Sequence, residues 1–269
     1  MELRFSPLFS GSSGNATYVG CDDAQLLVDA GLSGSRVTGE LVRMGVDPAR
    51  LDAILVTHEH TDHIKGIGIL SRKYDLPVYA TEGTWEEMMG KVGAIPTKNM
   101  RVIEPEQDFY IGSINVTPFA IPHDAAQPVG YTFAAGGARL AIATDLGGLR
   151  DGWIRHILGC GAVILESNYD PGMLHSGPYP YELKKRILGR KGHLSNDDAG
   201  ELAVELAMKG TRQIILGHLS KENNFPELAL TTCESAFRAA GLTPQVDARI
   251  VVAARDQATG MFSVESELL

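Results

Sequence analysis

The chain has 269 residues, of which 44% are hydrophobic and 21% charged, and this globular composition excludes a disordered, fibrous or membrane-embedded protein. The net charge of -9 disfavours indiscriminate binding to polyphosphates, because such binding relies on many Lys and Arg side chains. No linker, secretory signal or transmembrane-length apolar run is found, so we expect one domain over residues 1–269 and a cytoplasmic protein without a membrane partner. Three isolated cysteines, Cys21, Cys160 and Cys233, are expected to be reduced thiols, mostly in the core.

Hydrophobic patterning predicts two β-rich stretches, each followed by alternating strands and helices. The first has the strands LRFSPLF, ATYVG and AQLLVDAG, then the helix SRVTGELVRMG, the strand AILVT, the helix HIKGIGILSRKY, the strand PVYA and the helix TWEEMMGKV. The second has FYIGSINVTPFAI, VGYTFAA and ARLAIAT, then the strand AVILE, the helix SNDDAGELAVELAMKG, the strand QIILG, the helix PELALTTCESAFRAAG and the closing strands RIVVAA and GMFSVES. Two such halves, each giving a sheet to the other and helices to solvent, predict an α/β fold of the αββα sandwich type.

Side chains of the metal-ligand type follow five of the predicted strands. The run His58, His60, Asp62 and His63 follows AILV, and the others are His123 after FAIP, Asp145 after LAIAT, Glu166 after AVIL and His218 after QIILG. Neighbouring strand ends can converge on one point, which is how open α/β folds commonly build sites. Imidazole and carboxylate suit zinc, iron or manganese, whereas burying these groups without a metal costs about 1–3 kcal/mol for each unsatisfied group. A metal site is therefore favoured over a set of core histidines.

The run from His58 to His63 matches the HxHxDH signature of the metallo-β-lactamase superfamily, and the chain resembles that family over nearly its full length. The resemblance implies the family's αββα sandwich and two divalent transition-metal ions, with zinc favoured and manganese or iron also suitable. It implies that His58, His60 and His123 hold one ion, that Asp62, His63 and His218 hold the other, and that Asp145 bridges them. Asp29, in LLVDAG, would support a ligand.

Longer segments narrow the resemblance to the YycJ/WalJ group, which is related to tRNA 3′-end endonucleases. These segments include SGSSGNATYV, FAIPHDAAQPVGYTF, LESNYD, GRKGHLSNDDAGELA and LGHLSKENN. The group is associated with exonuclease activity on DNA, so the resemblance implies a phosphodiesterase that takes DNA rather than RNA. In this reading a metal-activated hydroxide oriented by Asp62 attacks phosphorus, His193 donates a proton to the leaving group, and Glu166 raises the pKa of His193.

Several polar residues beside the predicted centre are candidate substrate contacts: Ser12, Ser13 and Asn15 in the glycine-rich SGSSGN, Ser195 in GHLSN, and Lys221, Asn223 and Asn224 after His218. Turn chemistry is the alternative for these loops. A run of five basic residues precedes His193, namely Lys184, Lys185, Arg186, Arg190 and Lys191. It predicts a phosphate-binding patch, with a solvated helix face as the alternative. His156 and His175 match no ligand position and are expected at the surface, while Trp85 and Trp153 are expected to be packing residues.

Three other functions are open to a chain with these ligands. Thioesterases and lactonases of the same superfamily keep the same ligands and are the main enzymatic alternative, but GHLSN with Glu166 and the basic run favours a nuclease. A non-catalytic binding subunit is disfavoured, because all seven expected ligands are present.

Overall fold

The computed structural model of the protein describes residues 2–149 and 152–264, which form two seven-stranded mixed sheets packed face to face. The first sheet contains β1 (Leu3–Phe9), β2 (Ala16–Gly20), β3 (Gln25–Val28), β4 (Ala53–Leu55), β5 (Val78–Ala80), β6 (Met100–Val102) and β14 (Phe262–Val264), in the order β14-β1-β2-β3-β4-β5-β6. The second contains β7 (Phe109–Ile111), β8 (Ile114–Ala120), β9 (Val129–Ala135), β10 (Ala138–Ala143), β11 (Ala162–Glu166), β12 (Gln213–Gly217) and β13 (Arg249–Val252), in the order β13-β12-β11-β10-β9-β8-β7.

Each sheet joins an antiparallel part to a parallel part. Strands β3 to β6 are mutually parallel in the first sheet, as are β10 to β13 in the second. Parallel strands need crossover connections, and these supply most of the helices on the outer faces. Ligand-type residues lie at the carboxyl ends of β4, β10, β11 and β12. These four strands belong to the parallel parts of the two sheets.

Nine α-helices lie in the described part of the chain: α1 (Gly34–Arg43), α2 (Thr61–Ile64), α3 (Ile67–Tyr74), α4 (Glu82–Met88), α5 (Ile154–Ile157), α6 (Pro171–Ser176), α7 (Tyr181–Ile187), α8 (Asn196–Met208) and α9 (Pro226–Ala239). None of the helices in this part is long and apolar enough to cross a membrane. The core has three main layers, one between the sheets around Phe5 and Tyr131, one beneath α1, α3 and α4 around Trp85, and one beneath α5, α8 and α9 around Trp153. Both tryptophans and all three cysteines are buried, as predicted, and the cysteines form no disulfide.

The predicted αββα sandwich is present, but some predicted elements differ in detail. The predicted helix HIKGIGILSRKY is divided into α2 and α3, and the helix is interrupted at Gly66. Gly66 packs closely on the preceding loop, since a β-carbon there would lie 2.5 Å from the carbonyl oxygen of Leu32. The structure adds the short strand β6 and the helices α6 and α7, and α4 ends before the GKV of its predicted segment. The last two residues of the predicted strand GMFSVES, 265 and 266, lie outside the described residues.

Candidate metal centre

The ligand-type side chains leave their strands through unusual backbone conformations. Asp29 follows β3 with φ 61°, Asp145 follows β10 with φ 61°, and His218 follows β12 with φ 54°. A left-handed backbone is uncommon for residues other than glycine and persists only where the surrounding contacts over-determine it. Three of the six non-glycine residues with positive φ in the described part of the chain therefore lie at strand ends that supply the candidate site.

Three histidines predicted to share one ion lie together. The Nε2 atom of His58 is 3.0 Å from Nδ1 of His60, which is in turn 3.3 Å from Nε2 of His123. His58 and His123 are buried and His60 is half-buried, and one ring nitrogen from each lies within 4.8 Å of the other two. Carbonyl Gly192 O lies 3.2 Å from Nδ1 of His123, which leaves its Nε2 directed at the cluster. Three converging imidazole nitrogens are a donor set suited to a transition-metal ion.

The second predicted set lies beside the first. The Oδ2 atom of Asp62 is 3.7 Å from Nε2 of His63 and 3.9 Å from Nε2 of His218. Asp145 lies between the two sets, since its Oδ2 is 3.4 Å from Nε2 of His63 and its Oδ1 is 3.7 Å from Nε2 of His123. One carboxylate therefore presents one oxygen to each set, as a bridging ligand does.

The donors at the centre fit a cation. Asp145 and His218 are both 2% exposed. The Oδ2 atom of Asp145 and the Nδ1 atom of His218 approach to 3.0 Å, yet neither makes a hydrogen bond of acceptable geometry within the described residues. Buried polar atoms left without partners cost free energy, and metal coordination removes that cost.

Burial and the surrounding charges oppose each other in setting the pKa values here. Burial disfavours the charged form of His63, but the carboxylates of Asp145 and Asp29 outweigh it and raise the pKa of His63 to about 9. Burial also opposes ionisation of Asp145, yet the imidazoles of His218 and His63 hold the pKa of Asp145 well below its usual range. Without a metal, protons on these histidines compensate the buried carboxylate, and a divalent cation supplies the same compensation when it displaces them.

Asp29, which the resemblance assigns to the support of a ligand, contacts the predicted ligand His63 and also contacts Thr57. Its Oδ1 accepts a hydrogen bond from the Thr57 backbone N–H at 2.9 Å, and its Oδ2 accepts from the Thr57 hydroxyl at 2.8 Å. The same Oδ2 lies 2.8 Å from Nδ1 of His63, which directs Nε2 of that ring to the centre. The Thr57 hydroxyl also lies 3.0 Å from Nδ1 of His58. Sequence reasoning missed Thr57, although it directly precedes the HxHxDH motif.

His193 and Glu166 form a pair at the edge of the centre. Nδ1 of His193 is 2.8 Å from Oε1 of Glu166, whose Oε2 accepts from the backbone N–H groups of Leu146 at 2.7 Å and Leu194 at 3.0 Å. Burial opposes the ionisation of Glu166, but His193 outweighs it and lowers the pKa of Glu166 to about 2. Burial likewise opposes protonation of His193, but Glu166 prevails and raises the pKa of His193. The two pKa shifts therefore favour the ionised form of each group.

The two residues of this pair also come close enough to serve as ligands. One donor atom from each of Glu166, His193, Asp145 and His218 lies within 4.8 Å of the others. The side chain of His193 is 20% exposed, whereas the other three are buried. Because Nδ1 faces Glu166, Nε2 is the nitrogen that His193 can offer to a substrate or to an ion.

The seven candidate substrate contacts fall into three groups. Ser12, Ser13 and Lys221 are exposed, and Ser12 lines a cavity of about 150 Å³ together with His193. Asn15 is buried and contacts the ligands instead, with its Nδ2 3.0 Å from Nε2 of His63. The remaining three, Ser195, Asn223 and Asn224, are buried.

Two of the buried three, Ser195 and Asn224, make structural hydrogen bonds through their side chains, which differs from their predicted role. Ser195 is the N-cap of α8 and forms a capping box with Asp198. Asn224 donates through Nδ2 to the carbonyl of Ser167 and the Oδ1 of Asn196. Asn223 is fully buried, and its backbone carbonyl accepts from Asp170. The side-chain amide of Asn223, in contrast, has no hydrogen-bond partner among the described residues.

The three residues of the basic run that lie in α7 are split between two faces of that helix, whereas Arg190 and Lys191 follow its end. Arg186 forms an ion pair with Asp124, the residue after His123, and lines the same small cavity as His193. Lys184 and Lys185 line a different cavity on the opposite face of the helix. Of the two histidines expected at the surface, His175 is exposed, but the His156 side chain is only 15% exposed because its ring stacks on Phe119 and pairs with Glu106.

Comparison with known proteins agrees with this geometry. Residues 24–219 match the family model of the Beta-lactamase superfamily domain. Exodeoxyribonuclease YycJ of Bacillus anthracis is 45% identical over 229 residues, which cover 85% of this chain and 87% of that protein. Exodeoxyribonuclease WalJ of Streptococcus pneumoniae serotype 2 is 38% identical over 264 residues, which cover 97% of this chain and 98% of that protein.

Among solved structures, the metallo-beta-lactamase fold protein YhfI from Bacillus subtilis superimposes with a TM-score of 0.72 at 17% identity, covering 98% of this chain and 100% of that chain. At that identity the likeness concerns the fold alone, and it confirms the αββα sandwich. The family match and the two relatives confirm the family predicted from the HxHxDH motif. The chain therefore belongs to the metallo-β-lactamase superfamily and is a metal-dependent hydrolase.

Proposed function

We propose that the protein is a dinuclear metal-dependent phosphodiesterase that degrades DNA as an exonuclease. The observation that carries this proposal is the His193–Glu166 pair beside Asp145, at 2.8 Å between His193 Nδ1 and Glu166 Oε1. A thioester releases a thiol with a pKa of about 8.5, which leaves readily as an anion, whereas a phosphodiester of DNA releases an alkoxide that needs a proton. The names of the two relatives, both exodeoxyribonucleases matched over most of their length, support DNA as the substrate.

In this proposal the seven ligands hold two ions, with His58, His60 and His123 around one, Asp62, His63 and His218 around the other, and Asp145 shared. Zinc is favoured by the His/Asp donor set, and manganese or iron also suit it. When bound, the ions supply Lewis-acid chemistry, activating water and neutralising charge on the phosphate.

Side chains of the protein orient the attacking water and supply the proton for the leaving group. Asp62, whose side chain is 26% exposed, orients the attacking water. As the bond between phosphorus and the leaving oxygen breaks, Nε2 of His193 donates its proton to that oxygen. Glu166 stabilises the imidazolium before the transfer and keeps the ring oriented, because its other oxygen is fixed by two backbone N–H groups. Ser12 and Lys221 remain candidate contacts for the phosphate backbone. A DNA substrate agrees with the cytoplasmic location expected from the sequence.

The test compares substrates on metal-loaded protein: 5′-labelled single- and double-stranded DNA, RNA, a lactone and a thioester. Two matched variants are included, Asp62→Ala at the centre and Asp22→Ala in the exposed turn between β2 and β3, at the opposite end of those strands. We expect DNA cleavage that Asp62→Ala abolishes and Asp22→Ala leaves intact. Turnover of the thioester or lactone without cleavage of nucleic acid contradicts the proposed DNA substrate. It would still agree with a metal-dependent hydrolase.

A further inference from the structure

A second cavity, of about 780 Å³, lies on the outer face of α7. We call it the α6–α7 pocket, and the side chains that matter most are those of Leu174, His175, Tyr179, Tyr181, Lys185 and Leu188. Tyr181 is 75% exposed and Leu188 61% exposed, so a large apolar and aromatic surface faces solvent. An exposed apolar surface in a concave site is typical of a place where a ligand binds and covers that surface.

The helix α7 joins this pocket to the metal centre. Tyr181, Lys184, Lys185 and Leu188 follow the spacing of one helix face and line the pocket. Leu183, Arg186 and Ile187 lie on the other face and line the small cavity that contains His193. Tyr179 lines both cavities, so the two cavities adjoin each other at this side chain.

The charges at the rim suit a phosphate backbone. Lys185 is exposed beside the aromatic surface, and Lys184 donates from Nζ to the carbonyl of His175 at 2.7 Å, which fixes α6 to α7. Arg186 lies between the pocket and the centre, paired with Asp124. In a protein with a net charge of -9, cations on both faces of α7 depart from the average, and the exposed Lys185 beside the pocket complements an anionic chain.

We propose that the α6–α7 pocket binds an unpaired nucleobase of the DNA strand whose scissile phosphate lies at the metal centre. This inference rests on the proposed function and specifies its substrate as a strand end with unstacked bases. The base stacks on Tyr181 and contacts Leu188, and Lys185 pairs with a neighbouring phosphate. Every base has a π-face, so stacking of this kind tolerates all sequences, as an exonuclease requires.

The experiment measures KM and kcat for cleavage of 5′-labelled single-stranded oligonucleotides by the metal-loaded protein. Three variants are compared: Tyr181→Ala, Tyr181→Phe and, as a matched control, Tyr110→Ala, another exposed tyrosine, 68% exposed on β7. A single abasic position is moved along the oligonucleotide. We expect Tyr181→Ala to raise KM about tenfold, the size of one base–aromatic stacking contact, with Tyr181→Phe and Tyr110→Ala near wild type.

The abasic series separates stacking from a general structural effect. One abasic position is expected to raise the KM of the wild type by a similar factor and to cause no further rise in Tyr181→Ala. The inference is wrong if Tyr181→Ala and Tyr110→Ala behave alike on DNA, or if the loss in Tyr181→Ala is the same with and without the base. It is also wrong if Tyr181→Ala changes the oligomeric state in sedimentation and leaves KM unaltered, because a second copy then covers the pocket. If the wild type cleaves no DNA at all, the proposed function itself fails, which is a separate result.

Discussion

Replacing His193 by alanine removes the proposed proton donor and leaves the predicted metal ligands in place. A positioned general acid contributes about 10²–10⁴-fold to a rate, so DNA cleavage by His193→Ala should fall by about that factor. Glu166→Gln keeps an oxygen for the N–H groups of Leu146 and Leu194 but loses the charge that faces Nδ1 of His193 at 2.8 Å. A hydrogen bond to a charged group contributes about 1.5–3 kcal/mol, so we expect the rate of DNA cleavage by Glu166→Gln to fall about 10–150-fold.

The signature of an acid is that its loss depends on the leaving group. A p-nitrophenyl phosphodiester releases a stable anion and needs no proton, so we expect its turnover by His193→Ala to stay within about tenfold of wild type. The assay compares kcat/KM of both substrates and counts metal ions per chain by elemental analysis. Equal losses on both substrates refute the proton-donor role. Loss of an ion from His193→Ala refutes it as well, because His193 would then be one of the ligands among the donors within 4.8 Å.

Three further predictions follow from the supports around the centre. Gly31→Ala places a β-carbon 1.6 Å from the carbonyl oxygen of Asp62, so it should displace the segment bearing Asp62 and His63 and lower the metal content. Gly39→Ala is the control, because Gly39 occupies an exposed position in α1 with nothing within 4 Å of the added β-carbon. It should raise the free energy of unfolding by about 0.5–1 kcal/mol. Elemental analysis and denaturant unfolding check both, and full metal content in Gly31→Ala contradicts the first. Asp29→Asn weakens the support of His63 and should lower metal affinity about 10–100-fold in competition with a chromophoric chelator, and unchanged affinity argues against it. Complete chelation should abolish hydrolysis and lower the unfolding temperature, both restored by added zinc or manganese, and activity that survives chelation runs against a metal-dependent reaction.

The convergence of the predicted metal ligands could be anticipated because their signals are local. His58, His60, Asp62 and His63 crowd one short segment after a buried strand, and Asp145 and His218 also follow strands. Carboxyl ends of parallel strands in one sheet lie at the same end of that sheet, so position after a strand places Asp145 and His218 near each other. The run from His58 to His63 follows a strand of the other sheet and meets them because the two sheets pack face to face.

The roles of the residues around the predicted ligands depend on contacts with residues distant in sequence. The neighbouring sequence of each residue therefore does not predict its role. Thr57 matters because Asp29 lies opposite it across the parallel pair β3–β4. Asn224 follows the predicted ligand His218 closely in sequence but bonds to Ser167 and Asn196, which come from two other segments. The role of Ser195 did carry a signal, since Ser195 and Asp198 have the spacing of a capping box.

The region between β11 and α8 was the least predictable part of the fold. The helices α6 and α7 are short and set among prolines and glycines, so neither shows a sustained helical period. The basic run was visible in the sequence, but its division was not. The direction of Arg186 towards the centre follows from its ion pair with Asp124, which the fold alone creates.

The most direct test of a dinuclear DNA-cleaving centre is the rate of cleavage of a 5′-labelled DNA as a function of metal ions bound per chain. Metal-free protein is titrated with zinc or with manganese, and bound ions and cleavage are measured on the same samples. The seven predicted ligands, with Asp145 between the two sets, predict negligible cleavage with no ion and a maximum that is reached only as the second ion binds. Full cleavage with one ion or with none, or two bound ions without any DNA cleavage, contradicts this account.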